Sequence, residues 1–222
     1  MSGLVLALDA STYTASVALV EDATVVRERT VAMRDPRHER LMPAVADILG
    51  KGGMGDIDRI VCGAGPGSFT SLRIAASIAK GLAVASGRPL LAVSSLALLI
   101  AGVEGKLPEG RWLSLLDAMR GEYFAQAFDV ASGGEISEAS EVCVVRDEEV
   151  TALARTMRAR PAGRSRELEA APHARGIARL RRHPSLQSPV DLASWEPDYG
   201  RLAEAQVRWE AAHGRPLDGR SW

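Results

Sequence analysis

Apolar residues fall into short β-branched or leucine-rich runs that alternate with stretches of helical period. Leu4-Val-Leu-Ala-Leu8 reads as a buried strand ending in Asp9-Ala-Ser-Thr12. Ala15 to Val20 and Thr24 to Ala32 supply two more strands, joined by the hairpin-length Glu21-Asp22-Ala23. A helix is predicted over Arg37 to Gly50, with Leu41, Val45, Ile48 and Leu49 on one face. Pro43 requires that the regular helix begin near it or kink. After the flexible Gly50–Gly55 break, the β-branched run Ile60–Cys62 leads into Gly63-Ala-Gly-Pro-Gly-Ser-Phe-Thr70, and Ser68 and Thr70 are both good N-caps for a helix reaching about Ala85. A strand at Leu90–Val93 and a helix from Ser95 to Gly102 complete a β-β-β-α-β-α-β-α order, which makes a mixed sheet covered by helices.

The segment Gly105–Gly110, with Pro108, divides the chain into an N-terminal lobe (1–104) and a C-terminal lobe (111–222). Beyond it, Trp112–Leu116, Tyr123–Phe128 and Glu138–Val145 read as strands, Arg146–Arg158 as a helix, and Ala174–Arg182 as a basic helix. Residues Arg160–Ala171 follow neither period. A last helix is expected from Tyr199 to Ala212, with Leu202, Ala205 and Trp209 on one side; no sequence repeat is visible.

Composition narrows the class. With 46% apolar and 25% charged residues in 222, the chain is globular and large enough for a substantial core. The run Leu4–Leu8 is too short for a signal-peptide core or a membrane span, and Cys62 and Cys143 sit in apolar runs without CxxC spacing. The expectation is a cytoplasmic protein with reduced thiols and no membrane contact. A net charge of −1 hides an asymmetry: residues 151–222 carry 13 Arg against 8 acidic residues, and 151–183 carry 9 Arg against 2 Glu. Without interleaved aromatics a solvated surface is favoured over an RNA or acidic-protein contact.

Strand, glycine loop and capped helix point free backbone N–H groups at one spot, where an anion or a tight turn can use them. The spacing excludes two familiar phosphate loops. Gly67 is followed by Ser68-Phe69 where a Walker A loop needs Lys-Ser/Thr, and Ser68 stands where a dinucleotide fingerprint needs its third glycine. His38-Glu-Arg-Leu-Met42 is one residue short of HExxH, with Met42 in place of the second metal ligand, so no metal site is expected. Ser77-Ile-Ala-Lys80 matches SxxK but falls mid-helix without its companion motifs. Asp9-Ala-Ser-Thr12 is compatible with Mg²⁺ held through water and also with a plain Asx turn, and the residues do not decide between them. The small residues Ala75, Ala76, Ser77, Ala79, Gly81 and Ala83 allow a close helix neighbour, within this chain or from another.

Together, Leu6-Ala-Leu-Asp-Ala-Ser-Thr12, His38-Glu-Arg-Leu-Met-Pro43, the loop Gly63–Thr70, Lys80-Gly-Leu82, Asp117-Ala-Met-Arg-Gly-Glu122 and, more faintly, Glu196-Pro-Asp-Tyr199 resemble the TsaB (YeaZ) family. The resemblance covers about the first 130 residues. It implies an α/β fold of the actin-like ATPase-domain, ribonuclease H-like class, with mixed sheets and flanking helices in two lobes. It implies a non-catalytic subunit, with no catalytic residue, in the synthesis of threonylcarbamoyladenosine in tRNA. The implied partners are the catalytic subunit TsaD and the ATPase TsaE, with a homodimer when TsaD is absent and any tRNA contact weak or indirect. The partner face would comprise His38, Leu41, Val45, Leu72, Arg73, Ala75, Ala76 and Ala79. The resemblance names no certain cofactor and leaves room for ATP or ADP with Mg²⁺ at a subunit interface, near Asp9, Ser11, Thr12, Gly65, Gly67, Ser68 and Thr70. Ser71 and Ala75 stand where the family commonly has glycine, so a shifted interface or an altered loop is expected there. Ala10 replaces the glycine that ATP-binding relatives carry after the aspartate, which puts Ser11 where a phosphate would approach, so any nucleotide binding should be weak. The rival expectations are an ATP-dependent enzyme built on Asp9 and the glycine loop, and a glycoprotease-like peptidase.

Overall fold

A computed structural model describes residues 3–33, 40–200 and 213. His38 and the helix expected over Tyr199–Ala212 lie, wholly or nearly so, outside the described residues.

The N-terminal lobe is built on β1 (Leu4–Asp9), whose side chains alternate between two apolar surroundings. β2 (Thr14–Glu21) pairs with it antiparallel, and β3 (Thr24–Ala32) extends that hairpin. β4 (Arg59–Gly63) and β5 (Leu90–Val93) add in parallel on the other side, giving the order β3-β2-β1-β4-β5. β1, β2 and β4 are buried on both faces, whereas the edge strand β3 carries Arg27, Glu28 and Arg29, which discourages pairing with another chain. One face of the sheet, including Leu6, Leu8, Val17, Ile60 and Cys62, packs under α1 (Leu41–Leu49) and α2 (Phe69–Ser86). The opposite face, including Val5, Ala7, Ala18 and Val61, packs on α3 (Ser95–Ala101). Pro43 falls in the first turn of α1, where its missing N–H costs no helical bond.

The C-terminal lobe repeats this plan in reduced form. β6 (Gly110–Asp117) and β7 (Glu122–Val130) form its hairpin. β8 (Ile136–Glu138) and β9 (Cys143–Arg146) both pair with β7. After α4 (Val150–Met157), β10 (Arg160–Gly163) pairs parallel with β6, and β11 (Leu168–Glu169) pairs parallel with β10. The order from the β8/β9 edge through β7, β6, β10 and β11 mirrors that of the first sheet. The repetition is one of topology without a matching sequence period, and the counterpart of α2 is cut to a short turn.

Three expectations change here. The single strand at Glu138–Val145 divides in two because Ser140 breaks the ladder: its Oγ takes the Ala127 N–H at 2.9 Å. Arg160–Ala171 holds the two short strands β10 and β11. The basic helix at Ala174–Arg182 is a 3₁₀ turn followed by α5 (Ile177–Leu180) only, since Gly176 is wedged against Ala101 and Gly102 and leaves no room for a regular turn.

The two sheets share a core. Val5, Val20, Leu91 and Val93 from the first join α3 and then Trp112, Leu116, Phe124 and Phe128 from the second in one contiguous apolar cluster. Among the described residues no helix is long and apolar enough to cross a membrane.

Candidate functional site

Asp9 ends β1 at the point where β1 and β4 lead into their loops, the position at which an open α/β sheet offers a crevice. Its carboxylate is fully buried and wholly engaged. Ser11 donates to Oδ1 from its N–H at 3.0 Å and its hydroxyl at 2.8 Å, and Ser95 Oγ donates to Oδ2 at 2.6 Å. Ser95 Oγ in turn accepts the Gly65 N–H at 3.1 Å, so one polar chain ties β1, the glycine loop and the start of α3 together. Burial pushes the Asp9 carboxyl above its ordinary range, and these hydrogen bonds only partly oppose that. Burial, with Asp9 beside it, also raises the Cys62 thiol, so this is an inert structural cysteine.

The glycine loop is closed from both sides by the chain itself. A Cβ on Gly63 would strike Asp9 Oδ2, one on Gly67 would strike the Ser11 carbonyl, and one on Gly65 would strike the Asp198 carbonyl. The segment Glu196–Gly200 lies over the loop. Asp198 N–H donates to the Ala64 carbonyl at 2.7 Å, the Tyr199 ring stands 4.5 Å from that of Phe69, and Gly200 rests on Phe124 and Pro66. Ser68 N–H is likewise spent on the Ser11 carbonyl at 2.7 Å. The glycines are there for close approach of backbone to backbone.

Asp9, Ser11, Gly65, Gly67 and Ser68 are therefore brought together, while Thr12 and Thr70 lie towards solvent. Ser68 occupies the N-cap of α2, yet its hydroxyl donates to Ser71 Oγ at 3.1 Å instead of capping, and Thr70 is inside the helix. These residues do not fit a magnesium–nucleotide group. The carboxylate that would face a metal has spent both oxygens on protein donors, and the approach to the loop amides is filled by carbonyl oxygens. Among the described residues no three His, Cys, Asp or Glu side chains gather as metal ligands.

Most of the residues expected at a partner face lie inside the isolated chain. Leu41, Val45, Ala75 and Ala79 are completely buried in the core under the chain's own sheet, Leu72 is completely buried beside Gly65, and Ala76 is nearly buried. The alanine stripe lets α2 sit close to β4 and β1, so the small residues serve the internal interface. Of the expected set Arg73 is exposed, and His38 is outside the described residues. The outward side of α2, with Met42 of α1, carries Phe69, Arg73, Ile74, Ser77 and Ile78 around a shallow groove of about 450 Å³. Met42 is 38% and Phe69 39% exposed, large values for such side chains, and the Arg73 guanidinium lies 5.4 Å from the centre of the Phe69 ring. The signal available in the sequence was Phe69 at the helix start, followed by Arg73 and Ser77 at four-residue steps, off the alanine stripe.

The family model of TsaD, described as tRNA N6-adenosine threonylcarbamoyltransferase, matches residues 32–176. The tRNA threonylcarbamoyladenosine biosynthesis protein TsaB of Bacillus subtilis is 30% identical over 224 residues, covering 92% of this chain and 97% of that one. The chain belongs to the TsaB family. The TsaB of Escherichia coli is 38% identical over 122 residues, covering 54% of this chain and 52% of its own. The solved structure of YeaZ from Pseudomonas aeruginosa superposes with a TM-score of 0.71 at 29% identity, covering 90% of this chain and all of that one. The TsaB likeness thus runs through both lobes and beyond the first 130 residues to which the motifs pointed. The mixed order β3-β2-β1-β4-β5, with β2 antiparallel to its neighbours, is the expected ribonuclease H-like, actin-like arrangement.

Proposed function

We propose that this chain works in the biosynthesis of threonylcarbamoyladenosine in tRNA as a docking subunit without catalytic groups of its own. The observation that carries the reading is a pairing of features: the carboxylate at the head of β1 is sealed by protein donors, while Met42, Phe69 and Ile74 leave apolar surface open on α1 and α2. A catalytic subunit of the TsaD type would cover that groove with an apolar helix face, and Arg73 at the rim would meet an acceptor on the partner. An ATPase of the TsaE type would join the pair, and a second copy of this chain would take the same face when the partner is absent.

Mixing the chain with its TsaD-type partner should give a heterodimer by mass measurement, and Phe69→Asp should abolish it while leaving the melting temperature of the isolated chain nearly unchanged. Cells lacking the chain should lose the modified adenosine from their tRNA nucleosides; full modification without it refutes the role. Micromolar binding of Mg-ATP to the isolated chain, lost in Asp9→Ala, would instead support an ATP-dependent enzyme.

A further inference from the structure

A second cleft, of about 580 Å³, lies at the ends of both sheets remote from Asp9. β2 passes Asp9 at Ser16 and reaches this far end at Glu21, and β7 leaves Asp117 at Tyr123 to reach it at Val130. Four segments form its walls: the β2–β3 turn, residues 103–105 between the lobes, the β7–β8 turn, and residues 175–184.

Three arginines of the basic stretch are engaged by neighbouring side chains. Arg160 stacks on Trp112, Arg166 pairs with Asp147, and Arg175 meets Glu28 and Glu104. Arg179 gives its guanidinium to the carbonyls of Ala101, Val103 and Gly105, which hold its charge in the cleft wall without neutralising it. Arg181 and Arg182 line the same cleft and form no ion pair with another described residue. The acidic residues of the lining are Glu104, already engaged by Arg175, and Glu135, so positive charge is in excess. Val25, Val103 and Ile136 supply an apolar floor between the cationic and glycine-rich walls.

We infer that this cleft binds a phosphorylated small molecule of about nucleotide size, its phosphate held by Arg181 and Arg182 and its apolar body on Val25, Val103 and Ile136. Guanidinium forks match phosphate oxygens in pairs, and a pocket of a few hundred Å³ suits one small ligand. An extended nucleic acid strand is disfavoured because a cleft of about 580 Å³ has room for one small ligand and offers no row of aromatic side chains to stack successive bases.

Titration calorimetry on the full chain with AMP, inorganic phosphate and a short single-stranded RNA tests this. AMP should bind more tightly than inorganic phosphate, and joint Arg181→Ala and Arg182→Ala substitution should weaken it about tenfold or more through loss of charge-assisted hydrogen bonds. The pair Arg155→Ala and Arg158→Ala, on α4 and its C-cap, should leave AMP binding unchanged. Absence of AMP binding at millimolar concentration overturns the site, as does equal weakening by both pairs of substitutions, which would indicate diffuse charge. Inorganic phosphate binding as tight as that of AMP overturns the assignment of an apolar body to the ligand, and RNA binding tighter than AMP overturns the small-molecule site in favour of a nucleic-acid surface.

Discussion

At the scale of single residues, the chain stores two titrating groups of opposite sense. Burial of Asp9 favours its protonated form, so its contribution to stability is present in acid and is lost as pH rises through its elevated folded-state value. Asp9→Asn removes that titration. The stability of the variant relative to wild type should therefore increase from acid to neutral pH in paired melting curves; a decrease would show that the carboxylate form is the favoured one. Asp9→Ala strands the Ser95 hydroxyl and the Ser11 N–H, and should cost about 1–3 kcal/mol. His173 runs the other way. Its Nδ1 accepts the Arg175 N–H at 3.1 Å, which needs a neutral ring, and burial beside Arg175 lowers it from 6.5 to about 4. The associated stability is present above pH 6.5 and is lost as pH falls towards about 4. Because each pKa unit is worth about 1.4 kcal/mol, the loss is on the order of 3 kcal/mol. His173→Gln should flatten that acid limb in denaturant titrations, and an unchanged limb would place the titration elsewhere. Since the two groups act in opposite senses, only differences between variant and wild type isolate either.

At the scale of elements, α2 separates two uses of a helix. Its alanines are pressed on β4 and β1, and its far side is wet. Ala75→Leu should overpack the isolated chain and cost about 1–3 kcal/mol in chemical denaturation, whereas Phe69→Asp should leave that curve in place and act only on assembly. A reversed outcome would restore the alanine stripe to the intermolecular face. The strands were legible because a run such as Leu4–Leu8 or Trp112–Leu116 has a length and bounding turns that no helix shares. The side of α2 was not legible from the same pattern, because small residues permit close packing against anything, and only the position of the sheet fixes the direction. Ser140 and Gly176 tell a similar story: one hydroxyl took a ladder N–H and one glycine filled a crevice between loops, events set by distant parts of the chain. At the candidate site, Asp9 and the glycine loop were visible as a constellation. Their closure by Asp198 depends on a contact across more than a hundred residues that no local spacing encodes.

At the scale of the whole molecule, the two lobes repeat one strand order, and one apolar cluster runs through both, from Val5 to Phe128 by way of α3. Prying them apart would wet Leu98, Leu99, Trp112 and Phe128, each of which is essentially inaccessible. Calorimetric melting should accordingly show a single cooperative transition with matching calorimetric and van't Hoff enthalpies; two resolved peaks would mean that the lobes unfold separately.

A jaw needs a slippery boundary between its halves, and here that boundary is welded with leucine and tryptophan. The chain has no cheap way to open and shut, so whatever mechanical cycle an assembly around it performs must be driven by its companions. In the docking role proposed above, it would offer them a rigid anvil.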